Sequence, residues 1–256
     1  MKKKLTKTSK RKPTYTEDDF LDDLWETMKS QERINPSLKI LHQIVDGSVK
    51  LVGLTGGIAC GKSLVTQFFL EKKIPVIDAD QVARDIVQPK KKAYQEIIKH
   101  FTKSVLISAG KDKGLIDRAA LGKIVFENPE KRLLLEKITH PEIRKEISKQ
   151  IGKQKKLGQK LIILDAALLF ESSLDSLMSQ VIVVSVDPDT QIKRLMERDK
   201  ISEKLAMQKI QSQMSVREKA QKATFVIDNS GSRENTKAQF EDIFYQLTAS
   251  LHIHHK

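Results

Sequence analysis

Short apolar runs alternate along most of the chain with longer stretches in which apolar residues recur at helical spacing. The apolar runs are uninterrupted by polar residues, which is typical of β-strands that are buried on both faces. Helical stretches between consecutive strands supply right-handed βαβ crossovers, so the pattern predicts an α/β fold built on a parallel sheet. The predicted strands are residues 50–55, 75–79, 161–166, 181–186 and 224–228.

The interval between residues 80 and 160 departs from this alternation. It holds no strong strand candidate and carries several amphipathic patterns, which are typical of helices that pack by one face. We therefore predict a helical insertion within the α/β domain.

The chain before residue 48 has a different character. Its first twelve residues are lysine-rich and low in complexity, which predicts a disordered basic arm. Residues 14–31 predict a helix, because Thr16 is a suitable N-cap and acidic residues fill the first turn. The apolar residues at helical spacing in this segment are Leu21, Leu24, Trp25 and Met28.

We place a domain boundary near residue 48, which leaves an extension of residues 1–48 ahead of a domain of residues 49–256. Three roles for the extension stay open. It could bind RNA or acidic surfaces through its charge, dock a partner through the apolar face of its helix, or fold back on the domain. Acidic residues from Glu17 onward argue against a targeting peptide.

Composition narrows the class of protein. Hydrophobic residues make up 39% and charged residues 31% of the 256 residues, as in soluble globular proteins. No apolar run approaches the roughly 20 residues of a membrane span, and no apolar segment behind the basic N-terminal run suggests a secretory signal. The single cysteine excludes an internal disulfide and fits a reducing compartment, so we expect a cytoplasmic protein.

The net charge is strongly positive, at +13, with a pI near 9.6. Excess positive charge favours anionic partners, a class that includes nucleic acid, acidic lipid and polyphosphate substrates. The aromatic content is only 5%, and no RNA-binding fingerprint with interleaved aromatic residues is present. These features argue against nucleic acid as the partner, although the basic N-terminal arm leaves it open.

One stretch carries a specific chemical signature. Residues 56–63, GGIACGKS, fit the pattern G-x-x-x-x-G-K-[ST] of a phosphate-binding P-loop. The stretch follows a predicted strand and precedes a helical pattern of Val65, Phe68 and Phe69, which is the context that the motif requires. The motif predicts binding of a nucleoside triphosphate, but it does not identify the reaction.

Each residue type in this loop has a predicted role. Glycines at Gly56, Gly57 and Gly61 allow the dihedral angles that point successive backbone N–H groups at one anion. Lys62 begins the helix and reaches the β- and γ-phosphates, and the hydroxyl of Ser63 binds Mg²⁺. The residues predicted to bind ATP in this loop are Gly57, Ile58, Ala59, Cys60, Gly61, Lys62, Ser63 and Leu64.

Aspartates close two of the predicted strands. Asp78 and Asp80 end the second strand on one face, and Asp165 ends the third. Such side chains face the ligand crevice of an open parallel sheet, where Asp80 could orient and deprotonate an acceptor hydroxyl and Asp165 could assist a Mg²⁺ site. From the residues alone, Asp80 could equally cap a helix and pair with Arg84, and Asp165 could be an edge acid or turn former.

Two arginines lie one helical turn apart in the segment QIKRLMERDK. Arg194 and Arg198 fall on one helix face, and paired guanidinium groups suit a phosphate clamp because each can bind two oxygens. A solvated basic face shared with Glu197 and Asp199 is the alternative, and the spacing alone favours it.

Taken together, these segments resemble the dephospho-coenzyme A kinase family. The matching motifs occur in the order and spacing of the family across roughly residues 49–248. They are LTGGIACGKS, VIDADQVAR, THPEIR, LLFE, QIKRLMERD and VIDNSG.

The resemblance implies a P-loop kinase fold with a five-stranded parallel sheet, a helical acceptor-binding region at about residues 85–158 and a small lid at about residues 190–222. It implies transfer of the γ-phosphoryl group of ATP to the ribose 3′-hydroxyl of dephospho-coenzyme A, with Mg²⁺ as cofactor. This reaction is the last step of coenzyme A synthesis. The substrate partner is then dephospho-coenzyme A, no membrane is involved, and a monomer is favoured.

The resemblance also assigns residues. Asp80 matches the proposed catalytic carboxylate of the family, beside the P-loop Lys62, and Asn229 lies in the loop expected near the adenine. Arg194 and Arg198 match the catalytic lid region. On the acceptor side it places Asp80, Arg84, His140 and Leu168, and for the metal it places Ser63 and Asp165.

Four positions depart from the family pattern. Leu64 and Ala167 stand where Thr and Pro are common, and Lys209 replaces an arginine of the lid. None of these removes Lys62, so we expect an active kinase. Cys60 stands where Ser is common, either as a small neutral neighbour or as a redox-sensitive thiol activated by the helix N-terminus.

Overall fold

The computed structural model describes residues 48–252 of the chain. The predictions for residues 1–47 and for the last four residues, 253–256, lie outside the described residues. The strands are β1 (Lys50–Gly56), β2 (Val76–Asp78), β3 (Leu161–Asp165), β4 (Gln180–Ser185) and β5 (Phe225–Asp228). The helices are α1 (Lys62–Glu71), α2 (Ala79–Asp85), α3 (Lys92–Phe101), α4 (Arg118–Glu127), α5 (Pro129–Lys156), α6 (Pro188–Asp199), α7 (Glu203–Gln211), α8 (Val216–Lys222) and α9 (Arg233–His252).

The five strands form one sheet in the order β2-β3-β1-β4-β5, and every neighbouring pair is parallel. This confirms the predicted five-stranded parallel sheet flanked by helices. In the register of the sheet, Asp165 is the partner of Asp78 on one side and of Leu54 on the other. The carboxyl ends of β1, β2 and β3 therefore meet at one edge, which is where open α/β sheets bind ligands.

Alternate side chains of β1 to β4 enter two separate cores, one on each face of the sheet, whereas β5 contributes to only one core and exposes Val226. In β3, Ile162 and Leu164 join the core formed with α2 to α5, whereas Leu161 and Ile163 join the core formed with α1 and α9. Both sets are buried, which explains why the strands are apolar throughout.

The second core contains a cluster of aromatic side chains between α1 and α9. Phe69 of α1 contacts Phe240 of α9 edge-to-face at a centroid distance of 4.8 Å, and Phe240 stacks on Phe244 at 5.8 Å. Aromatic pairs of this kind contribute about 0.5–1.5 kcal/mol each beyond the area that they bury. This packing holds α1, and with it the end of the P-loop, against the sheet.

Residues 79–156 contain α2 to α5, so the predicted helical insertion is confirmed. Between α3 and α4 the chain makes one isolated antiparallel bridge, from Leu106 to Ile116. Helix α5 continues through Pro141, in the middle of the THPEIR motif. Together these helices cover one face of the sheet beside the carboxyl end of β2.

Polar N-caps set where several helices begin. The side chains of Asp117, Asn128 and Asp187 each accept a backbone N–H of the first turn. Ser215 forms a reciprocal capping box with Glu218 at the start of α8. Each such cap contributes about 1 kcal/mol and fixes the entry of the chain into its helix.

The helices have the length and composition of helices in a globular domain. Within residues 48–252, none is both long enough and apolar enough to cross a membrane. The longest, α5, has 28 residues and carries charged side chains along its length.

Candidate active site

The segment GGIACGKS runs from the last residue of β1 into the first turn of α1. The loop within it ends at Gly61, which is the N-cap of α1. Gly61 has a φ of 83°, in the left-handed region that favours glycine. A side chain at this position would also lie 2.1 Å from Nδ2 of Asn229, so two independent constraints require glycine.

The other two glycines of the loop are required for a different reason from the one predicted. Neither Gly56 nor Gly57 has a positive φ, whereas Ala59 does, at 60°. A Cβ atom at Gly56 would lie 2.7 Å from the carbonyl oxygen of Val184, and one at Gly57 would lie 2.4 Å from Val216. Close packing, rather than backbone dihedral angle, excludes side chains there.

Side chains from distant segments hold the loop in shape. Nε2 of Gln191 donates to the carbonyl oxygen of Ile58 at 2.9 Å, and the backbone N–H of Ile58 donates to Oε1 of Gln213 at 3.3 Å. Behind the loop, Nδ2 of Asn229 donates to the carbonyl oxygen of Cys60 at 2.9 Å. The P-loop is therefore preorganised by contacts that the motif itself does not contain.

Asn229 is buried, and its Oδ1 accepts from the hydroxyl of Thr236 at 2.8 Å. It does not line the cavity above the loop. The structure thus gives Asn229 a supporting contact behind the P-loop, and its predicted contact with the adenine stays a prediction.

A cavity of about 590 Å³ lies at the carboxyl edge of the sheet, above the P-loop. It brings together most of the residues proposed for phosphate, metal and acceptor binding. Its lining consists of Gly56, Gly57, Ile58, Ala59, Gly61, Lys62, Ser63, Thr66, Asp78, Asp80, Arg84, Asp165, Ala167, Leu168, Arg194, Arg198 and Gln213.

Asp165 lies at the floor of this cavity and is almost fully buried. Its Oδ1 forms an ion pair with Nζ of Lys62, and its Oδ2 accepts from the hydroxyl of Thr66 at 2.6 Å. Thr66 and Lys62 are one helical turn apart on α1, so the same helix face addresses both carboxylate oxygens. Asp165 therefore lines the cavity beside Lys62, and its role at a Mg²⁺ site stays a prediction.

Asp78 caps α2, and Asp80 does not. Oδ1 of Asp78 accepts from the backbone N–H of Gln81 at 2.9 Å, while β2 ends at Asp78 and α2 begins at Ala79. The alternative that Asp80 is the helix cap is therefore wrong. So is its placement on the strand, because Asp80 lies in the first turn of α2.

Several groups shift the pKa of Asp80. Burial raises the pKa, and the nearby carboxylates of Asp78 and Asp165 raise it further. The ammonium of Lys62 and a hydrogen bond from the backbone N–H of Ala167 oppose this shift, but the net direction is upward. A carboxylate with a raised pKa accepts a proton more readily, which is the property that a general base needs.

The pKa of Lys62 responds to the same cluster. Burial by itself would lower the pKa of this ammonium, but the carboxylates of Asp165, Asp80 and Asp78 outweigh that effect. The net shift is upward, so Lys62 stays positively charged in its half-buried position. The site thus combines the ammonium of Lys62 with the carboxylates of Asp78, Asp80 and Asp165, beside the three arginines that also line the cavity.

Arg194 and Arg198 both reach the cavity from α6. Nε of Arg198 donates to Oδ1 of Asp199 at 2.8 Å, and Lys209 donates to Oδ2 of the same carboxylate at 3.3 Å. Lys209 is buried and lies outside the cavity lining. The lysine that replaces the family arginine therefore contacts Asp199, which also holds the Arg198 guanidinium.

The predicted acceptor residues fall in two places. Arg84 and Leu168 line the cavity, and Arg84 also lines a second cavity of about 460 Å³ between α2 and α4. His140 is buried on α5 and lines neither of these two cavities. Its role in acceptor binding stays a prediction.

Two of the predicted ATP-binding residues point away from the cavity. Cys60 is fully buried, and Leu64 packs against the core formed with α1 and α9. Sequence reasoning also omitted three residues that meet the loop or the carboxylates, namely Thr66, Gln191 and Gln213. Each had a signal in the sequence, since Thr66 follows Lys62 by four residues on a predicted helix, Gln191 begins the motif QIKRLMERD, and Gln213 ends the stretch KIQSQ of the predicted lid.

Cys60 is expected to be chemically inert in the folded protein. Burial raises the pKa of its thiol to about 11, which outweighs the backbone hydrogen bonds and the nearby cations that would lower it. The thiolate is the reactive form, so little of it is present at neutral pH. This disfavours the redox-sensitive alternative and supports a neutral packing role.

Thiol titration with an aromatic disulfide reagent will check this expectation. Because Cys60 is the single cysteine, the native protein should release almost no chromophore. The same sample unfolded in denaturant should release one equivalent. Rapid labelling of the native protein that ATP suppresses would contradict the inert thiol.

The oxygen donors of the cavity fit a metal ion that binds together with the nucleotide. Within the described chain, no group of three or more His, Cys, Asp or Glu side chains is arranged to hold a metal by itself. Mg²⁺ usually takes one or two protein oxygens and completes its shell with substrate phosphates and water. Ser63 and Asp165, both at the cavity, are donors of that kind.

Known proteins match this chain along most of its length. The profile of the family described as dephospho-CoA kinase matches residues 50–235. Dephospho-CoA kinase of Bacillus cereus is 49% identical over 193 residues, which cover 75% of this chain and 94% of the relative. A dephospho-CoA kinase domain-containing protein of Danio rerio is 50% identical over 190 residues, covering 74% and 81%.

Solved structures agree with the sequence relatives. Dephospho-CoA kinase from Campylobacter jejuni has a TM-score of 0.59 at 31% identity and covers 78% of this chain and 98% of its own. The protein TT1252 from Thermus thermophilus has a TM-score of 0.67 at 28% identity, with the same coverage. With the P-loop, the three carboxylates and the two arginines around one cavity, the chain belongs to the dephospho-coenzyme A kinase family.

Proposed function

We propose that this chain transfers the γ-phosphoryl group of ATP to the ribose 3′-hydroxyl of dephospho-coenzyme A, giving coenzyme A and ADP. The observation that carries the proposal is the single cavity in which the P-loop, Lys62 and Asp80 meet. A phosphoryl donor and a hydroxyl acceptor bound there would lie within reach of one cation and one general base. Membership of the family identifies the acceptor.

The donor side is built from the P-loop and α6. The backbone N–H groups of the loop and the N-terminus of α1 bind the phosphates of ATP. Lys62, Arg194 and Arg198 add the positive charge that stabilises the transferring phosphoryl group. Ser63 would hold Mg²⁺, with Asp165 beside it, and the ion would supply further positive charge at the phosphate oxygens.

The acceptor side is built around Asp80. In this proposal its carboxylate accepts a hydrogen bond from the 3′-hydroxyl, orients the oxygen and takes the proton as the new bond to phosphorus forms. The raised pKa of Asp80 favours that proton transfer. Arg84 and Leu168, on the adjoining wall, would bind and orient the rest of the acceptor.

The second cavity is suited to the remainder of the acceptor molecule. It adjoins the first through Arg84, and its lining combines apolar side chains with the guanidinium of Arg118 and the carboxylates of Asp112 and Asp117. The acceptor carries a negatively charged diphosphate, which the guanidinium groups of the cavity could bind. It also carries a flexible amide arm, which could pack on the apolar walls. Its apolar lining comprises Val87, Ile107, Leu115 and Ile116.

The domain boundaries follow from these roles. We propose that residues 85–158 form the acceptor-binding region and residues 190–222 the lid, within a catalytic domain of residues 49–256. We also propose that the chain acts as a monomer. A free cysteine is consistent with a reducing cytoplasmic compartment, and no role for nucleic acid is needed.

A coupled assay of ADP formation tests the proposal. With ATP and Mg²⁺, the protein should produce ADP when dephospho-coenzyme A is added. Coenzyme A is the matched control, since its 3′-position already carries phosphate, and it should give no turnover. No turnover with dephospho-coenzyme A, alongside good turnover of a nucleoside monophosphate, would contradict the proposal.

A further inference from the structure

A fully buried lysine lies behind the cavity, on α8. Lys219 has no solvent exposure, and its ammonium meets three acceptors. They are Oε1 of Glu171 at 3.0 Å, the carbonyl oxygen of Ala167 at 2.8 Å and the carbonyl oxygen of Gly56 at 3.4 Å. Burying an ammonium is costly unless it is paired and hydrogen-bonded, so this arrangement needs an explanation.

The contact with Ala167 connects Lys219 to Asp80, the proposed general base. The carbonyl oxygen of Ala167 accepts from Lys219 and also from the hydroxyl of Thr55 at 2.9 Å. A hydrogen bond from the N–H of the same residue lowers the pKa of Asp80, and Ala167 and Asp80 line the same cavity. Ala167 therefore lies between Lys219 and Asp80, with its carbonyl held on one side and its N–H used on the other.

Glu171 completes the connection. It is fully buried, and its Oε1 also accepts from the backbone N–H of Met214 at 3.0 Å. The ion pair thus joins the end of β1 at Gly56, the segment after β3 and the segment that precedes α8. Lys219 itself does not line the cavity, so it has no access to the substrate from this position.

We propose that Lys219 is a positioning residue, which fixes the orientation of Asp80 through the backbone of Ala167, and that Glu171 holds its ammonium in place. The proposal rests on the role given to Asp80 above. Loss of the ammonium would free the segment at Ala167 and let the Asp80 carboxylate move relative to the acceptor hydroxyl. Displacement of about 1 Å at a reacting group costs up to about a hundredfold in rate.

Removing one member of a buried ion pair also destabilises a protein, because the remaining charge is left buried and unpaired. Lys219→Met alone therefore cannot separate a positioning role from a purely structural one. The double variant Lys219→Met/Glu171→Gln removes both charges and keeps an oxygen for the N–H of Met214. Lys222→Met, on the exposed side of the same helix, is the matched control.

The test measures the melting temperature, kcat and both KM values for each variant. We expect Lys219→Met to lower the melting temperature and to lower kcat by about tenfold to a hundredfold. In the double variant the melting temperature should recover while kcat stays low, with KM for ATP unchanged. Recovery of kcat together with stability would overturn the proposal, because the pair would then be structural only.

A second measurement tests the route through Asp80. If Lys219 acts through Asp80, adding Lys219→Met to an Asp80→Asn variant should cause little further fall in kcat. A full additional fall would overturn the route. The wild-type assay with dephospho-coenzyme A keeps this outcome separate from the proposed function, since that function would fail only if the wild-type protein gave no turnover.

Discussion

Alanine in place of Lys62 is expected to lower kcat by about a hundredfold to a thousandfold, the effect of removing one preorganised charge from a transition state. Lys62 is the cation that α1 presents to the phosphates, and it stays charged because its pKa is raised by the surrounding carboxylates. Neither arginine of α6 occupies its place beside Asp165. The measurement is steady-state turnover with ATP and dephospho-coenzyme A at saturating concentrations.

The same substitution has a predictable effect on stability. Without Lys62, Asp78, Asp80 and Asp165 line one cavity with no lysine between them. Their mutual repulsion should lower the melting temperature at neutral pH, and the deficit should shrink as the pH falls and Asp80, whose pKa is raised, takes up a proton.

Lys72→Ala is the matched control for Lys62→Ala. Lys72 is the C-cap residue of the same helix, and its ammonium pairs with the carboxylate of Glu241 at 2.7 Å on the surface. Exposed ion pairs contribute at most about 1 kcal/mol to the free energy of unfolding. This variant should keep wild-type kcat. Near-normal turnover by Lys62→Ala would instead mean that the P-loop assignment is wrong.

The strands and the P-loop were predictable because their signals are local. An apolar run such as residues 161–166 can be buried on both faces only in a covered parallel sheet, and β3 occupies Leu161–Asp165. The glycine at Gly61 was also read correctly, since its dihedral angle is set by the loop itself. In both cases the residues of the segment itself were sufficient to predict its structure.

The supporting contacts were not predictable, because they depend on segments far apart in the chain. Lys219 lies 163 residues from Gly56 in the sequence and sits in VREKAQK, a segment that resembles an exposed helix. Gly57 is packed against Val216 and Gln191, which no local pattern connects to the P-loop. Single-sequence reasoning detects the groups that do chemistry more readily than the groups that hold them.

The roles of Asp78 and Asp80 likewise could not be told apart from the sequence alone. Asp78 and Asp80 have the same residue type and nearly the same sequence position, so the residues alone left capping and catalysis open for Asp80. The end of β2 decides between them, because the helix begins at Ala79 and its first N–H groups face Asp78. Asp80 is then free to face Lys62 across the cavity.

Asparagine in place of Asp80 is expected to lower kcat by about a hundredfold or more while the affinity for ATP is retained. Asparagine keeps an oxygen that can accept the N–H of Ala167, but it cannot take a proton from the acceptor hydroxyl. Turnover with dephospho-coenzyme A measures the first effect, and titration calorimetry with ATP measures the second.

The stability of this variant should change in the opposite direction to its activity. The pKa of Asp80 is raised in the fold above its ordinary value of 3.8, so its ionised form destabilises the protein at neutral pH and protonation stabilises it as the pH falls. A neutral asparagine removes that cost, and the melting temperature of Asp80→Asn at neutral pH should therefore rise.

Asp85→Asn, an exposed change on the same helix, should alter neither kcat nor the melting temperature appreciably. A lower melting temperature with normal kcat for Asp80→Asn would show that the carboxylate stabilises α2 and takes no part in the reaction.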